Sequence, residues 1–319
     1  MGLTRDDIFL KAPYKRFKEF VCPGIDRFAL LCSVLEENAL PFEVLKLAEK
    51  RHIVLSSGFT KETAVIFTAH YDRTLNSPGA NDNGAAVFQL VETALRISGG
   101  EPSLRRGPAE YAGNGADESK TAANGALFIF TDGEELSCGE NLQHQGSYNL
   151  GLYLREKGLG DGRIFTFDAC GAGDTLIIST AADELLKQKK GPGAETARRK
   201  VGTLRGAALE AARFCLLEKV MLLPTPFSED AGFLLAGMAA QTITVLPQSE
   251  AAAFASLVRR RGNSGLYETK TGDLLSAAPA ESRLIPETWR SLNGPADSPL
   301  RLTPEHWKTV TAFATALAE

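Results

Sequence analysis

Three features of the sequence predict an α/β fold. Several apolar runs, among them Ala64–Thr68, Ala126–Phe130 and Arg163–Phe167, are nearly continuous rather than alternating, as strands buried on both faces are. Stretches with helical spacing of their apolar residues fall between many of these runs. Three of the runs also lead into ligand-type side chains: His70, then Glu134 and Glu135, then Asp168. In open α/β sheets the ligand crevice lies outside the carboxyl ends of the strands, so residues far apart in sequence are expected to converge there.

The elements follow in order. Residues 1–25 read as a mixed lead-in, and Asp26–Asn38 sets Phe28, Leu30, Leu31, Val34 and Leu35 on one face of a first helix. Past Pro41, Phe42–Leu47 and His52–Ser56 read as two strands divided by Glu49-Lys50-Arg51, with His52 structural. The Ala64 strand stops on His70. Asp72, two residues on, points to the same face in extended backbone and can fix the imidazole by accepting its second N–H. The turn Ser77–Gly84, dense in Pro, Gly and Asx residues, carries Asp82 and yields to a helix from Ala85 to about Ile97.

Ser98–Asn124 is too poor in large apolar residues to order itself strongly and reads as a surface insertion. Strand Ala126–Phe130 then leads to Glu134 and Glu135, a helical stretch lies around Leu150–Lys157, and strand Arg163–Phe167 ends at Asp168. Strand Thr175–Ser179, a helix from about Glu195 to Leu217, a short helix after Ser228-Glu229-Asp230, strand Gln241–Leu246 and helix Ser249–Arg259 follow. Arg260–Ser291 is an irregular region able to fold over a site. Thr303–Ala318 is a helix with Thr303, Pro304 and Glu305 at its start. No linker divides the chain, so one domain over residues 1–319 is expected.

Composition narrows the function classes. The 319 residues, 44% hydrophobic and 23% charged, are ordinary for a globular chain. A formal charge of -4 gives no basic footprint, which argues against nucleic acid or a membrane surface as partner. The first residues carry no apolar core of signal-peptide length, and no run approaches a membrane span. Five cysteines, odd in number and without CxxC spacing, read as reduced thiols in a cytoplasmic protein.

Taken singly, a histidine at a strand end is more often hydrogen-bonded structure than a ligand, and carboxylates before helices are more often caps. Taken in order, TAHYD, SPGANDNGAA, a strand into a Glu-Glu pair and a strand into Asp168 resemble the co-catalytic zinc exopeptidases of the bacterial leucyl aminopeptidase and glutamate carboxypeptidase type. The resemblance runs from about residue 26 to the C-terminus, outside the Ser98–Asn124 insertion. It implies a three-layer α/β/α domain with a central mixed, mostly parallel sheet. It further implies that His70 and Asp168 bind one zinc, that Asp82 bridges to a second bound by Glu135, and that Glu134 is the general base for a water the metals activate. In this family the bond after the bridging Asp, here Asp82–Asn83, is cis.

The sequence departs from the family at two places. Asn293, in Asn293-Gly294-Pro295-Ala296-Asp297-Ser298-Pro299, stands where the family has a histidine ligand. An amide oxygen is a harder, weaker ligand that suits Ca, Mg or Mn better than Zn. A weakened second site, a changed metal there, or no second metal and no catalysis are the outcomes. His306 and His144 are lesser substitutes. Ser228-Glu229-Asp230 stands where Ser-Asp-His is usual, removing a donor to substrate, while Arg259, Arg260 and Arg261 are either a contact for an anionic substrate group or a solvated helix end. The expected function is a metal-dependent exopeptidase, foremost an aminopeptidase, acting on a peptide or aminoacyl substrate. Its rivals are a non-catalytic metal- or peptide-binding homologue and a mononuclear glutaminyl-cyclase-like acyl transferase.

Overall fold

A computed structural model describes residues 8–57, 65–99, 125–137, 139–187, 189–261 and 285–319. Eight strands form one sheet: β1 Glu43–Leu47, β2 Lys50–Ser57, β3 Val65–His70, β4 Ala126–Thr131, β5 Arg163–Phe167, β6 Thr175–Ser179, β7 Val220–Leu223 and β8 Ala240–Leu246. Their spatial order is β1-β2-β4-β3-β5-β8-β6-β7. The central neighbours β4, β3, β5 and β8 run parallel, as do β6 and β7, whereas β1–β2, β2–β4 and β6–β8 are antiparallel. The sheet is therefore mixed with a parallel centre.

Helices cover both faces: α1 Arg27–Glu37, α2 Ala85–Ser98, α3 Gly146–Glu156, α4 Ala181–Lys187, α5 Pro192–Phe214, α6 Glu229–Leu235, α7 Gln248–Arg261 and α8 Trp307–Ala318. The period-2 alternation of the strands assigns the faces. Val65, Phe67, Phe128, Phe130, Phe165 and Phe167 join the core under α1, α2, α5 and α8. Ile66, Leu127, Ile129 and Ile164 join α3 and α6 on the other face, and Ile177 and Leu246 join α7 there. Strands buried on both sides need apolar residues at every position, which is why these runs do not alternate. No helix among the described residues is long and apolar enough to cross a membrane.

Most expected elements are present, with adjusted bounds. Asp26 caps α1 by accepting the Ala29 N–H. Helix α5 begins at Pro192 and ends at Phe214, earlier than the charge-rich pattern indicated. The C-terminal helix starts at Trp307 after a 3-10 turn, Pro304–His306, and Thr303 does not cap it. The Thr303 hydroxyl instead donates to the Gly173 carbonyl. Arg260 and Arg261 continue α7, and Glu287–Arg290 forms one helical turn, so the irregular region is shorter than expected. Residues 100–124 and 262–284, the bulk of the expected insertion and of that irregular region, lie outside the described residues. Within the lead-in, Phe9, Tyr14, Phe17 and Phe20 pack against Phe88 and Trp307.

Arg27 ties the loops that carry the site. Its buried guanidinium lies over the Phe20 ring and donates to the carbonyls of Phe20, Tyr71, Asp72, Pro78 and Gly79. It therefore joins the segment after His70 to the segment before Asp82. Burial pulls its pKa down to about 9, leaving it charged at neutral pH. Arg27→Met is expected to cost about 3 kcal/mol, because each buried carbonyl left without a donor costs about 1–3 kcal/mol. Urea unfolding measures this, and a loss below about 1 kcal/mol would remove Arg27 from the account.

Candidate metal centre

The site stands at the carboxyl ends of β3, β4 and β5. His70, the last residue of β3, is fully buried. Its Nε2 lies 3.1 Å from Asp82 Oδ1 and 3.8 Å from Asp168 Oδ1, and its Nδ1 lies 3.4 Å from Asp72 Oδ1. Ligand atoms of His70, Asp82 and Asp168 all lie within 4.8 Å of one another, as do those of His70, Glu134 and Glu135. Both triplets share the one imidazole.

Loops hold each group in place by hydrogen bonds to backbone. Asp72 does more than face the imidazole, since its two oxygens accept the N–H groups of Glu134 at 3.3 Å and Glu135 at 3.0 Å. Asp297 accepts the N–H groups of Asn81 at 2.8 Å and Asp82 at 3.0 Å, fixing the turn that carries Asp82. Asn83 reaches β5, donating to the Phe167 carbonyl and accepting the Ala169 N–H, which brackets Asp168. The Asp82–Asn83 peptide is cis. Gln145 donates to Glu134 Oε1 at 3.2 Å, and the Ser147 hydroxyl holds the Gln145 amide by donating to its oxygen at 2.9 Å.

Asn293 lies against Glu135. With its amide nitrogen toward the carboxylate it donates to Oε1 at 2.5 Å and Oε2 at 3.0 Å. All of His70, Asp82, Glu134, Glu135, Asp168 and Asn293 are thus brought to one place, through the two triplets and the Asn293 contact. His144 is exposed and paired with Asn141, and His306 is exposed on its 3-10 turn. Arg259 and Arg260 are exposed, with Nε groups turned back onto carbonyls of α7. His52 is buried with its Nδ1 facing the Asp132 N–H, and burial lowers it to about 4, the neutral structural form expected.

The electrostatics call for a cation. Burial and the neighbouring carboxylates raise Glu134 well above its ordinary value and lift Glu135 to about 8; burial raises Asp82 too. Burial alone would lower His70, but the carboxylates of Asp168, Asp72 and Asp82 more than reverse this and raise it well above an ordinary imidazole. Despite these neighbours, neither ring nitrogen of His70 nor Oδ1 of Asp168 makes a well-formed hydrogen bond. Buried polar atoms without partners are costly, and an imidazole with two carboxylates is a donor set that suits zinc. The residues fit a divalent ion. A cavity of about 600 Å3 elsewhere, lined by Lys189, Lys190 and Pro192 among others, includes none of them.

Glu229 was not foreseen as part of the surroundings. It is buried behind the strand ends, where the Thr68 hydroxyl donates to it at 3.1 Å and the Thr131 hydroxyl donates to its other oxygen. Burial, opposed by His70 and the two hydroxyls, lifts it to about 7. An acid raised in the folded state keeps a proton that the unfolded chain has released, so stability falls as pH rises between its ordinary value and about 7. In chelator, Glu229→Gln is therefore expected to gain about 1–3 kcal/mol relative to wild type between pH 5 and pH 8, given about 1.4 kcal/mol per pKa unit. Melting temperatures at the two pH values check this, and an equal difference at both would contradict it.

Residues 53–153 match the model of Peptidase family M28. The resemblance is borne out at the level of the peptidase family by that match, and solved structures share the fold over nearly the whole chain. An aminopeptidase from Legionella pneumophila aligns at TM-score 0.58 and 14% identity, covering 99% of this chain and 70% of its own. A Zn-dependent exopeptidase from Parabacteroides distasonis aligns at TM-score 0.55 and 13% identity, covering 100% and 98%. A glutaminyl cyclase from Porphyromonas gingivalis aligns at TM-score 0.54 and 14% identity, covering 99% and 97%. Of another structural neighbour, a zinc aminopeptidase, the chain spans only 48%. No curated protein matches the chain by sequence.

Proposed function

We propose that the protein is a zinc-dependent exopeptidase, most simply an aminopeptidase, that hydrolyses a terminal peptide bond of a peptide or aminoacyl substrate. The carrying observation is the convergence of His70 with Asp82 and Asp168, whose ligand atoms lie within 4.8 Å of one another while the His70 ring nitrogens and Asp168 Oδ1 make no hydrogen bond. His70, Asp82 and Asp168 would hold one ion, and Glu135, with Asn293 beside it, would be left for a second. A zinc ion bound there supplies Lewis acidity to the scissile carbonyl and acidifies a water.

Glu134 is the base that would take a proton from the attacking water and pass it to the leaving amine. Gln145 keeps the Glu134 carboxylate aimed by its hydrogen bond, while Glu135 pairs with Asn293. Cys22, Cys32, Cys170 and Cys215 are free, in keeping with a reducing cytoplasmic compartment, and Cys138 lies outside the described residues. A single domain over residues 1–319 completes the reading.

Peptides blocked at one end test the assignment. Cleavage of a carboxyl-amidated peptide but not of its amino-acetylated counterpart is expected, and the reverse would make the protein a carboxypeptidase. Conversion of an amino-terminal glutaminyl peptide to its cyclic form with release of ammonia, without hydrolysis of either peptide, would replace the reading with acyl transfer.

A further inference from the structure

We infer that this chain binds one zinc ion rather than two, because Asn293 and Glu135 close on each other where the second would sit; this rests on the metal-dependent reading above. Asn293 has φ 60, a left-handed conformation that Asn adopts more readily than most residues, and its carbonyl accepts the Thr74 hydroxyl at 3.3 Å. Its amide is thereby held against the Glu135 carboxylate. With the amide oxygen toward Glu135, acceptors would face each other at 2.5 and 3.0 Å; turned over, both contacts become N–H···O hydrogen bonds. The Glu135 backbone is also fixed by its bond to Asp72 Oδ2. A histidine here would present an imidazole lone pair to an ion, whereas Asn293 could offer one only by its amide oxygen and by giving up both hydrogen bonds to Glu135.

The remaining seat is complete without Glu135. A neutral imidazole and two carboxylates match the charge of one dication and leave a coordination position open, as catalytic zinc requires. A second zinc would have to rely on Glu135, a shared Asp82 and an amide oxygen, a hard donor poorly suited to it. The alternative triplet, His70 with Glu134 and Glu135, uses the same imidazole and so cannot add an ion to the first.

Chelator-stripped full chain, dialysed against buffered free Zn2+ and analysed by elemental mass spectrometry, tests this. The wild type is expected to saturate at one zinc per chain, Glu135→Gln at the same value, and Asn293→His at two. Two zinc ions in the wild type, loss of zinc in Glu135→Gln, or a single zinc in a folded Asn293→His would each overturn it. If Asn293→His does not fold, cobalt titration of the wild type decides: visible absorption that stops rising at one equivalent supports the inference, and a rise continuing to two overturns it. No bound metal at all would overturn the underlying metal reading as well, whereas two ions would leave that reading standing.

Discussion

Glu134→Gln is expected to keep its zinc and lose about 10²- to 10⁴-fold in turnover, the range that a positioned general base contributes. The expectation follows from the division of labour at the strand ends. Glu134 lies outside the His70, Asp82 and Asp168 triplet, so removing its charge spares those ligands. Glutamine has the same shape and still offers Gln145 an oxygen to bond. What disappears is the basic carboxylate. Turnover measured alongside zinc content separates the outcomes: loss of both would make Glu134 a ligand, and unchanged turnover would end its assignment as base.

His70→Ala is expected to have the largest effect on the metal. Changing a mere outer partner of a ligand costs about 10- to 100-fold in affinity, and His70 supplies the only nitrogen of the triplet. Affinity for zinc should therefore fall by more than about 100-fold. Because an ion that binds only the folded chain stabilises it by about 2.7 kcal/mol at 100 times its dissociation constant, the same loss appears in melting experiments. Zinc should raise the melting temperature of the wild type and leave that of the variant unmoved. Equal shifts in the two proteins would show that the ion sits elsewhere.

The positions of His70, Asp82, Glu134, Glu135 and Asp168 were legible in the sequence because each follows a continuous apolar strand or a turn rich in Pro, Gly and Asx, and those patterns are local. Arg27, Glu229 and Asp297 were not legible in the roles they play. Their partners lie far along the chain, as with Glu229 and Thr68 or Asp297 and Asn81, and no periodicity encodes such pairings. The motif around Asn293 contained Asp297, which was a usable signal. Phe17 and Phe20 sit in helical pieces too short to show a period, so their burial against Phe88 was hidden. Helix Ala181–Lys187 and strand Val220–Leu223 were missed because each is only a turn or two, or a few residues, long.

The central claim is that an ion held by His70, Asp82 and Asp168 drives amide hydrolysis. It is tested most directly by reconstitution. Chelator-stripped protein is given one equivalent of zinc, and liberation of the terminal amino acid from an unblocked peptide is followed. No release before addition and full release after it, absent throughout in His70→Ala, is the predicted result. Equal release with and without zinc, or none under either condition, would contradict the account.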